Sequence, residues 1–469
     1  MNLTLADVER CLTGAAEEGH DAIPVNSVQT DSRTVSKGDL FVCIEGDNFD
    51  GHEFAEQAAA KGAAGIVTAK LVDVDASVIM VRDTTRALGR LAACWRDKCG
   101  AKLVAVTGTA GKTTVKEMLH AVVSRKFETA KNYRNFNNQI GLPMSMLKAD
   151  ESQPVWIMEL GISVMGDMED LAPIANPDVA VITNVGPGHL SGLGSVAGVA
   201  KAKTTLLKYL REGGVAVINR DCEPLREAAL KIVPEPIEFS VGHNDTSYVA
   251  SFLGGSGTEG WGRFSLRTPE GDGEFEAPFC GAHYAENLAC VAAVAHQLGL
   301  TRDDVIQGVR TLAADPQRFC CKLAADALII DDTYNANPLS MARSIETAAE
   351  MAGDRPLVLI LGDMRELGDE AVRRHEELGQ LVKRIAPAAF FYKGDHCGDV
   401  ICGLDGDNVT GVKTPEEFMR AWREMGLTGA VVLVKGSRSL KMEEFANALC
   451  RERGTGRDNT AGAQEAKTK

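Results

Sequence analysis

Short apolar runs alternate with stretches of helical spacing over most of the chain. DLFVCI at 39–44 and SVIMV at 77–81 predict strands, and HEFAEQAAAKGA at 52–63 predicts a helix between them. A second series comprises LVAV at 103–106, VWIMEL at 155–160, VAVITNVG at 179–186 and VAVIN at 215–219. A third comprises ALIIDD at 327–332, LVLILGD at 357–363, AAFFYKGD at 388–395 and VVLVKGS at 431–437. Strands that alternate with helices pair in parallel, and such sheets collect ligands at the carboxyl ends of their strands. The expected fold is α/β in three domains. A small α/β N-terminal domain covers 1–99, a central P-loop-type, mostly parallel sheet covers 100–313, and a Rossmann-like domain covers 314–453. The remaining tail, 454–469, is polar and without periodicity, and is expected to be disordered.

One junction in this pattern carries chemistry. GTAGKTT, from Gly108 to Thr114, follows the apolar run LVAV and precedes Val115, Met118, Leu119 and Val122 at helical spacing. A strand, a glycine turn and a helix N-terminus bring free backbone N–H groups and the positive end of a helix dipole onto one anion. The chain is therefore expected to bind ATP or GTP. The loop is a short variant, because Val106 stands where the usual pattern has its first glycine. Lys112 would lie along the β- and γ-phosphates, and the Thr113 hydroxyl would face magnesium; the bland alternative is a glycine turn with an exposed lysine.

Polar residues at the ends of the second series, Glu159, Asn184, His189 and Asn219, are further candidates. Taken alone, Glu159 reads as a solvated loop carboxylate and His189 as a structural histidine. Lys201 and Lys203 in AKAK read as solvated helix charge. The turn DDTYNANP holds Asp331, Asp332, Asn335 and Asn337, and either binds a ligand or caps the next helix. Gly255, Gly257 and Gly260 match the dinucleotide pattern GxGxxG, yet no buried strand leads in and no helical spacing follows, so a hairpin or loop is expected.

Composition narrows the class. The chain has 469 residues, of which 45% are hydrophobic and 25% charged, with a formal net charge of −15. That balance argues against a nucleic-acid partner, which clustered cations would serve. No apolar run reaches membrane length and the first residues do not read as a signal peptide, so no membrane insertion and a cytoplasmic location are expected. Twelve cysteines without a CxxC pair read as unpaired thiols, not a disulfide scaffold.

Taken in order, GTAGKTT, NFNNQIGLP at 135–143, MELG at 158–161, ITNVGPGHL at 182–190, AKAK, DDTYNANP, LGDMRELG at 361–368 and LVKGSRSLKMEE at 433–444 resemble the Mur ligases of peptidoglycan synthesis. TDSRTVSKGDLFVCIEG and FDGHEFAEQA extend the resemblance through the N-terminal unit, so it spans nearly all of the chain except the tail. The resemblance implies ATP-driven amide bond formation. DDTYNANP, LGDMRELG and KGSRSLKMEE resemble the branch that joins D-alanyl-D-alanine to UDP-MurNAc-tripeptide through an acyl phosphate.

Carried over by position, the resemblance implies that Lys112, Glu159, His189 and Lys203 serve catalysis. ATP would be held by Gly108, Thr109, Gly111, Lys112, Thr113, Thr114, Asn287, Arg318 and Asp332. Two Mg2+ sites are implied, the first on Thr113 and Glu159, the second on His189 and a CO2-derived carbamate on Lys203. Asp31, Ser32 and Arg33 resemble the uridine-side contact, Asn137 and Asn138 the central asparagine pair, and Asn335 and Asn337 contacts to the second substrate. A monomer is expected.

The chain departs from the family's pattern at several positions. Tyr284 stands for an asparagine in HYAEN, Gln317 for a glycine before Arg318, and Arg134 for the glycine of the asparagine loop. Thr204 and Thr205 follow Lys203 in place of glycine and glutamate. Adenine packing and the asparagine loop are what these departures touch. Competing readings are a paralogous ligase adding the third residue, a folylpolyglutamate synthetase, and a regulatory nucleotide-binding module without catalysis. DDTYNANP disfavours the first two, and the intact Lys112, Glu159, His189 and Lys203 disfavour the third.

Overall fold

Residues 1–46, 48–133, 135–256, 260–313, 315–324, 326–406 and 409–452 are described in a computed structural model. The predicted tail at 454–469, Arg134 and Gly257 lie outside the described residues. The contacts divide the chain into two compact units, the first comprising Met1–Asn184, Ala200–Glu238 and Cys290–Gly308, the second Val185–Val199, Phe239–Ala289 and Val309–Lys469. Mixed α/β architecture with parallel sheets runs through both. No helix among the described residues is long and apolar enough to cross a membrane.

In the first unit, the N-terminal strands Val28–Gln29, Leu40–Val42, Gly65–Thr68 and Val78–Met80 form a parallel sheet in that order. Phe41, Cys43, Ala55, Ala58 and Ile66 pack as its core. The helix Thr84–Cys99 follows, started by Asp83, whose side chain accepts the Arg86 N–H, and stopped by Gly100 at φ 65°. This helix buries Trp95 and Arg96. The Trp95 indole N–H donates to the Ala149 carbonyl at 2.8 Å, and Arg96 donates to the carbonyls of Ala175 and Asn176 and to Asp178. One expectation is corrected here. Cys11, on the helix Leu5–Thr13, and Cys94 form a disulfide across 83 residues of sequence, because the two helices pack side by side and no sequence spacing announces that.

The central sheet begins at Lys102–Thr107. The parallel strands Val215–Asn219, Val179–Ile182, Lys102–Thr107, Val155–Glu159 and Thr129–Lys131 lie in that spatial order. Their side chains are buried almost throughout, which is why they read as unbroken apolar runs. Register then fixes the site. Val106 pairs with Glu159 and Thr107 with Ile182, so the carboxyl ends of the three middle strands open at one edge.

The second unit holds a six-stranded sheet in the order Cys320–Ala324, Ala327–Asp332, Val431–Lys435, Leu357–Gly362, Ala389–Lys393 and Thr410–Gly411. Its first pair is antiparallel and the others are parallel. It also holds the antiparallel strands Tyr248–Gly255, Gly262–Thr268 and Gly271–Ala277. Gly255 pairs with Gly262, so the GxGxxG match flanks a strand reversal and does not open a dinucleotide site.

Candidate active site

The phosphate loop is shaped by what surrounds it. Gly108 sits at φ 153°, and a Cβ there would lie 1.9 Å from the Thr183 hydroxyl, so glycine is required. Thr183 donates that hydroxyl to the Ala110 carbonyl at 2.7 Å. Asn184 accepts the Ala110 N–H on its side chain at 2.9 Å and the Thr109 N–H on its carbonyl at 3.0 Å. Asn219, another strand-end candidate, donates to the Thr183 carbonyl at 3.1 Å and so braces the loop from behind. Gly111 at φ 81° then turns the chain into the helix Lys112–Val123, whose first-turn N–H groups face the loop. The Lys112 ammonium donates to the Gly108 carbonyl at 2.9 Å.

Glu159 is no solvated loop residue: it is 3% exposed and ends a strand. One carboxylate oxygen accepts the Thr113 hydroxyl at 2.8 Å, and the other accepts the Asn137 amide at 2.8 Å. Gly161 allows that approach, since a Cβ there would lie 2.7 Å from the Asn137 side chain. Asn138 does something else. Its side chain accepts the Gly141 N–H at 2.8 Å, at the start of the helix Gly141–Met146.

The lysine pair separates on the helix Val196–Thr204, leaving Lys201 exposed and Lys203 buried. Burial holds the Lys203 amine well below its ordinary pKa, repulsion from Lys112 adds to this, and attraction to Glu159 opposes it. Lys112, Thr113, Glu159, Asn137 and Lys203 thus form one electrostatic group in the first unit. His189 belongs to the second unit, with a left-handed backbone at φ 53° and its Nδ1 against the Glu366 carboxylate.

The remaining predicted residues divide between two places. Asp31 and Arg33 form a fork-like ion pair at 2.7–3.1 Å that lowers the Asp31 carboxyl to about 2, and Ser32 donates its hydroxyl to Gln57 at 2.7 Å. In the second unit, Asp332 accepts the Phe319 N–H, the Ser344 hydroxyl and the Lys435 ammonium. Lys435 also holds the Asn335 carbonyl at 3.0 Å. Asn337 caps the helix Pro338–Ala352 in a capping box with Ser340, so DDTYNANP does cap the next helix. Asn287 is buried on the helix Ala282–Gln297.

Tyr284, the departure in HYAEN, stacks on Phe279 at 4.5 Å and donates its hydroxyl to the Arg318 carbonyl at 3.3 Å. The Arg318 guanidinium lies 3.8 Å over the Tyr334 ring. Gln317 lies in the left-handed region that favours glycine, at φ 66°. Sequence reasoning missed the buried Lys116, Asn132, Thr183 and Lys435, each of which has a partner far off in the chain.

Known proteins share this architecture. Models of the Mur ligase family, catalytic domain, of the Mur ligase middle domain and of the Mur ligase, glutamate ligase domain match residues 24–96, 106–295 and 317–438. The chain belongs to the Mur ligase family. This Mur ligase is 35% identical over 464 residues to the UDP-N-acetylmuramoyl-tripeptide--D-alanyl-D-alanine ligase of Escherichia coli (strain K12), covering 97% of this chain and 100% of that one. It is 32% identical to the Bacillus subtilis (strain 168) ligase of the same name, covering 95% and 98%. Among solved structures, MurF from Acinetobacter baumannii matches with a TM-score of 0.86 and 28% identity, covering 96% of this Mur ligase and 99% of that chain. MurF from Thermotoga maritima in complex with ADP matches at 0.82 and 27%, covering 91% and 97%. The α/β architecture expected from the sequence agrees with that of these relatives.

Proposed function

We propose that this chain joins D-alanyl-D-alanine to UDP-MurNAc-tripeptide at the expense of ATP, giving the pentapeptide precursor, ADP and phosphate. The observation that carries the reading is the contact between the Thr113 hydroxyl and the Glu159 carboxylate at the mouth of the phosphate loop. The names of its relatives point the same way.

A carboxylate is a poor electrophile. Transfer of the γ-phosphoryl group to an oxygen of the terminal tripeptide carboxylate breaks the bond to ADP and makes an acyl phosphate. The amine of D-alanyl-D-alanine then attacks the acyl carbon, loses a proton, and expels phosphate through a tetrahedral intermediate. Such transfer calls chiefly for positioning and charge neutralisation. Lys112 and the first-turn N–H groups of its helix hold the phosphates, and Asn137 keeps the Glu159 carboxylate turned to the loop.

Two hard oxygens 2.8 Å apart, from Thr113 and Glu159, suit magnesium, which when bound would neutralise charge on the phosphoryl group. His189 and Lys203 would hold a second ion. Burial favours the neutral form of the amine, which is the form that reacts with CO2, and its carbamate would supply an anionic oxygen donor. Asn287, Arg318 and Asp332 would hold the nucleoside and phosphates, Asn335 and Asn337 the second substrate, Asn138 the muramoyl side, and Asp31, Ser32 and Arg33 the uridine. The domain limits read from the sequence, a cytoplasmic location and a monomeric state belong to the same proposal.

The test is phosphate release with UDP-MurNAc-tripeptide and ATP, comparing D-alanyl-D-alanine, D-alanine and diaminopimelate. Release that requires D-alanyl-D-alanine supports the reading; equal release with diaminopimelate and UDP-MurNAc-dipeptide overturns it. Lys203→Ala is expected to abolish turnover, with short carboxylic acids restoring part of it and bicarbonate none.

A further inference from the structure

The helix that follows the phosphate loop carries a second lysine one turn beyond Lys112. Lys116 is 0% exposed, a rare state for a lysine. Its ammonium lies 3.3 Å from the Asn132 carbonyl oxygen, 3.4 Å from Glu117 and 3.8 Å from Oε2 of Glu159. Asn132 is itself buried, and its side chain engages both backbone groups of Glu159. Its Oδ1 accepts the Glu159 N–H at 3.0 Å, and its Nδ2 donates to the Glu159 carbonyl at 2.9 Å. The same Nδ2 donates to the Phe136 carbonyl at 2.9 Å, so Asn132 also ties down the loop that carries Asn137.

We propose that Lys116 is a positioning residue for magnesium, acting through Asn132 on Glu159. The inference rests on reading Glu159 as a magnesium ligand. Two effects of the buried ammonium oppose each other: it fixes the strand end and the asparagine loop, and it repels a cation at the Glu159 carboxylate. The Glu117 carboxylate, shared with Lys131, offsets part of the ammonium charge, while the hydrogen bonds of the Asn132 side chain act on geometry alone. Fixing the geometry therefore dominates. Partners behind a metal ligand are commonly worth about 10–100-fold in metal affinity. Lys112 cannot stand in, because its ammonium is turned to the loop carbonyl of Gly108.

The experiment is equilibrium binding of a fluorescent, non-hydrolysable ATP analogue to the full chain across a magnesium series, with a parallel series in EDTA. Lys116→Met and Asn132→Ala are each expected to raise the magnesium needed for half-maximal tight binding about tenfold, leaving affinity in EDTA unchanged. Because one residue acts through the other, the double variant should be no worse than the poorer single variant. Additive effects, or an unmoved magnesium midpoint in either variant, overturn the inference. Should Lys116→Met fail to fold, Asn132→Ala decides alone, its unmoved midpoint counting as refutation. Glu159→Gln separates the two levels. If it leaves the magnesium midpoint in place, the metal reading itself falls; if it shifts the midpoint and Lys116→Met does not, only the role of Lys116 falls.

Discussion

Thr113 and Glu159, 46 residues apart in sequence, meet at 2.8 Å because parallel register sets Val106 beside Glu159 and the loop then returns Thr113 over the strand end. Glu159→Gln keeps the volume and removes the charge. ATP turnover is expected to fall at least about a hundredfold, the upper end of what is lost at a metal's outer partners. The melting temperature should stay within a few degrees. Turnover at the wild-type rate removes Glu159 from the chemistry.

Gly108→Ala should disable the loop. The new methyl meets the Thr183 hydroxyl, which is held by the Ala110 carbonyl and cannot withdraw without releasing the loop. Nucleotide affinity is expected to drop about tenfold or more, equivalent to about 1–3 kcal/mol of strain. Removing the obstacle in Gly108→Ala/Thr183→Ala should recover part of that loss; titration calorimetry with ADP reads both variants.

Gln317→Gly is expected to stabilise the fold by about 0.5 kcal/mol. Relief of the left-handed backbone at φ 66°, about 1–2 kcal/mol, outweighs the extra freedom glycine has when unfolded, about 0.5–1 kcal/mol. Gln317→Val, β-branched at the same φ, should destabilise. Urea midpoints of the two variants should move in opposite directions.

His283 predicts an acid limb in stability. Burial chiefly, then repulsion from Arg343 and Lys435, holds its imidazole below the ordinary value. Below about pH 6.5 the unfolded chain binds a proton that the folded chain refuses, so stability falls as pH drops until the folded ring also protonates. His283→Leu should flatten this limb of a melting-temperature profile between pH 7 and 4. An unchanged slope assigns the acid loss elsewhere.

The phosphate loop could be read from sequence because its chemistry is contiguous: strand, turn and helix start occupy Lys102 to Val123. Strands buried on both faces were equally plain, each being an unbroken apolar run. Residues whose meaning depends on distant partners could not be read alone. Glu159 looks like any loop carboxylate until register brings Thr113 and Asn137 to it. Lys203 looks like Lys201 until the fold buries one and exposes the other. Lys116 and Asn132 lie in no motif, and Cys11 meets Cys94 only because two helices pack. Family resemblance supplied the significance of Glu159 and Lys203, and nothing supplied that of Lys116.

The docking of the helix Thr84–Cys99 has a practical consequence for dissecting the enzyme. Trp95 and Arg96 supply donors to backbone carbonyls at Ala149, Ala175 and Asn176, well inside the portion that holds the central parallel strands. A fragment expressed from Lys102 onward would lose those donors and uncover the apolar surface beneath them. A fragment begun at Asp83 would keep both the helix and the cap that starts it, and is the one to make when the phosphate loop is to be studied apart from the N-terminal sheet.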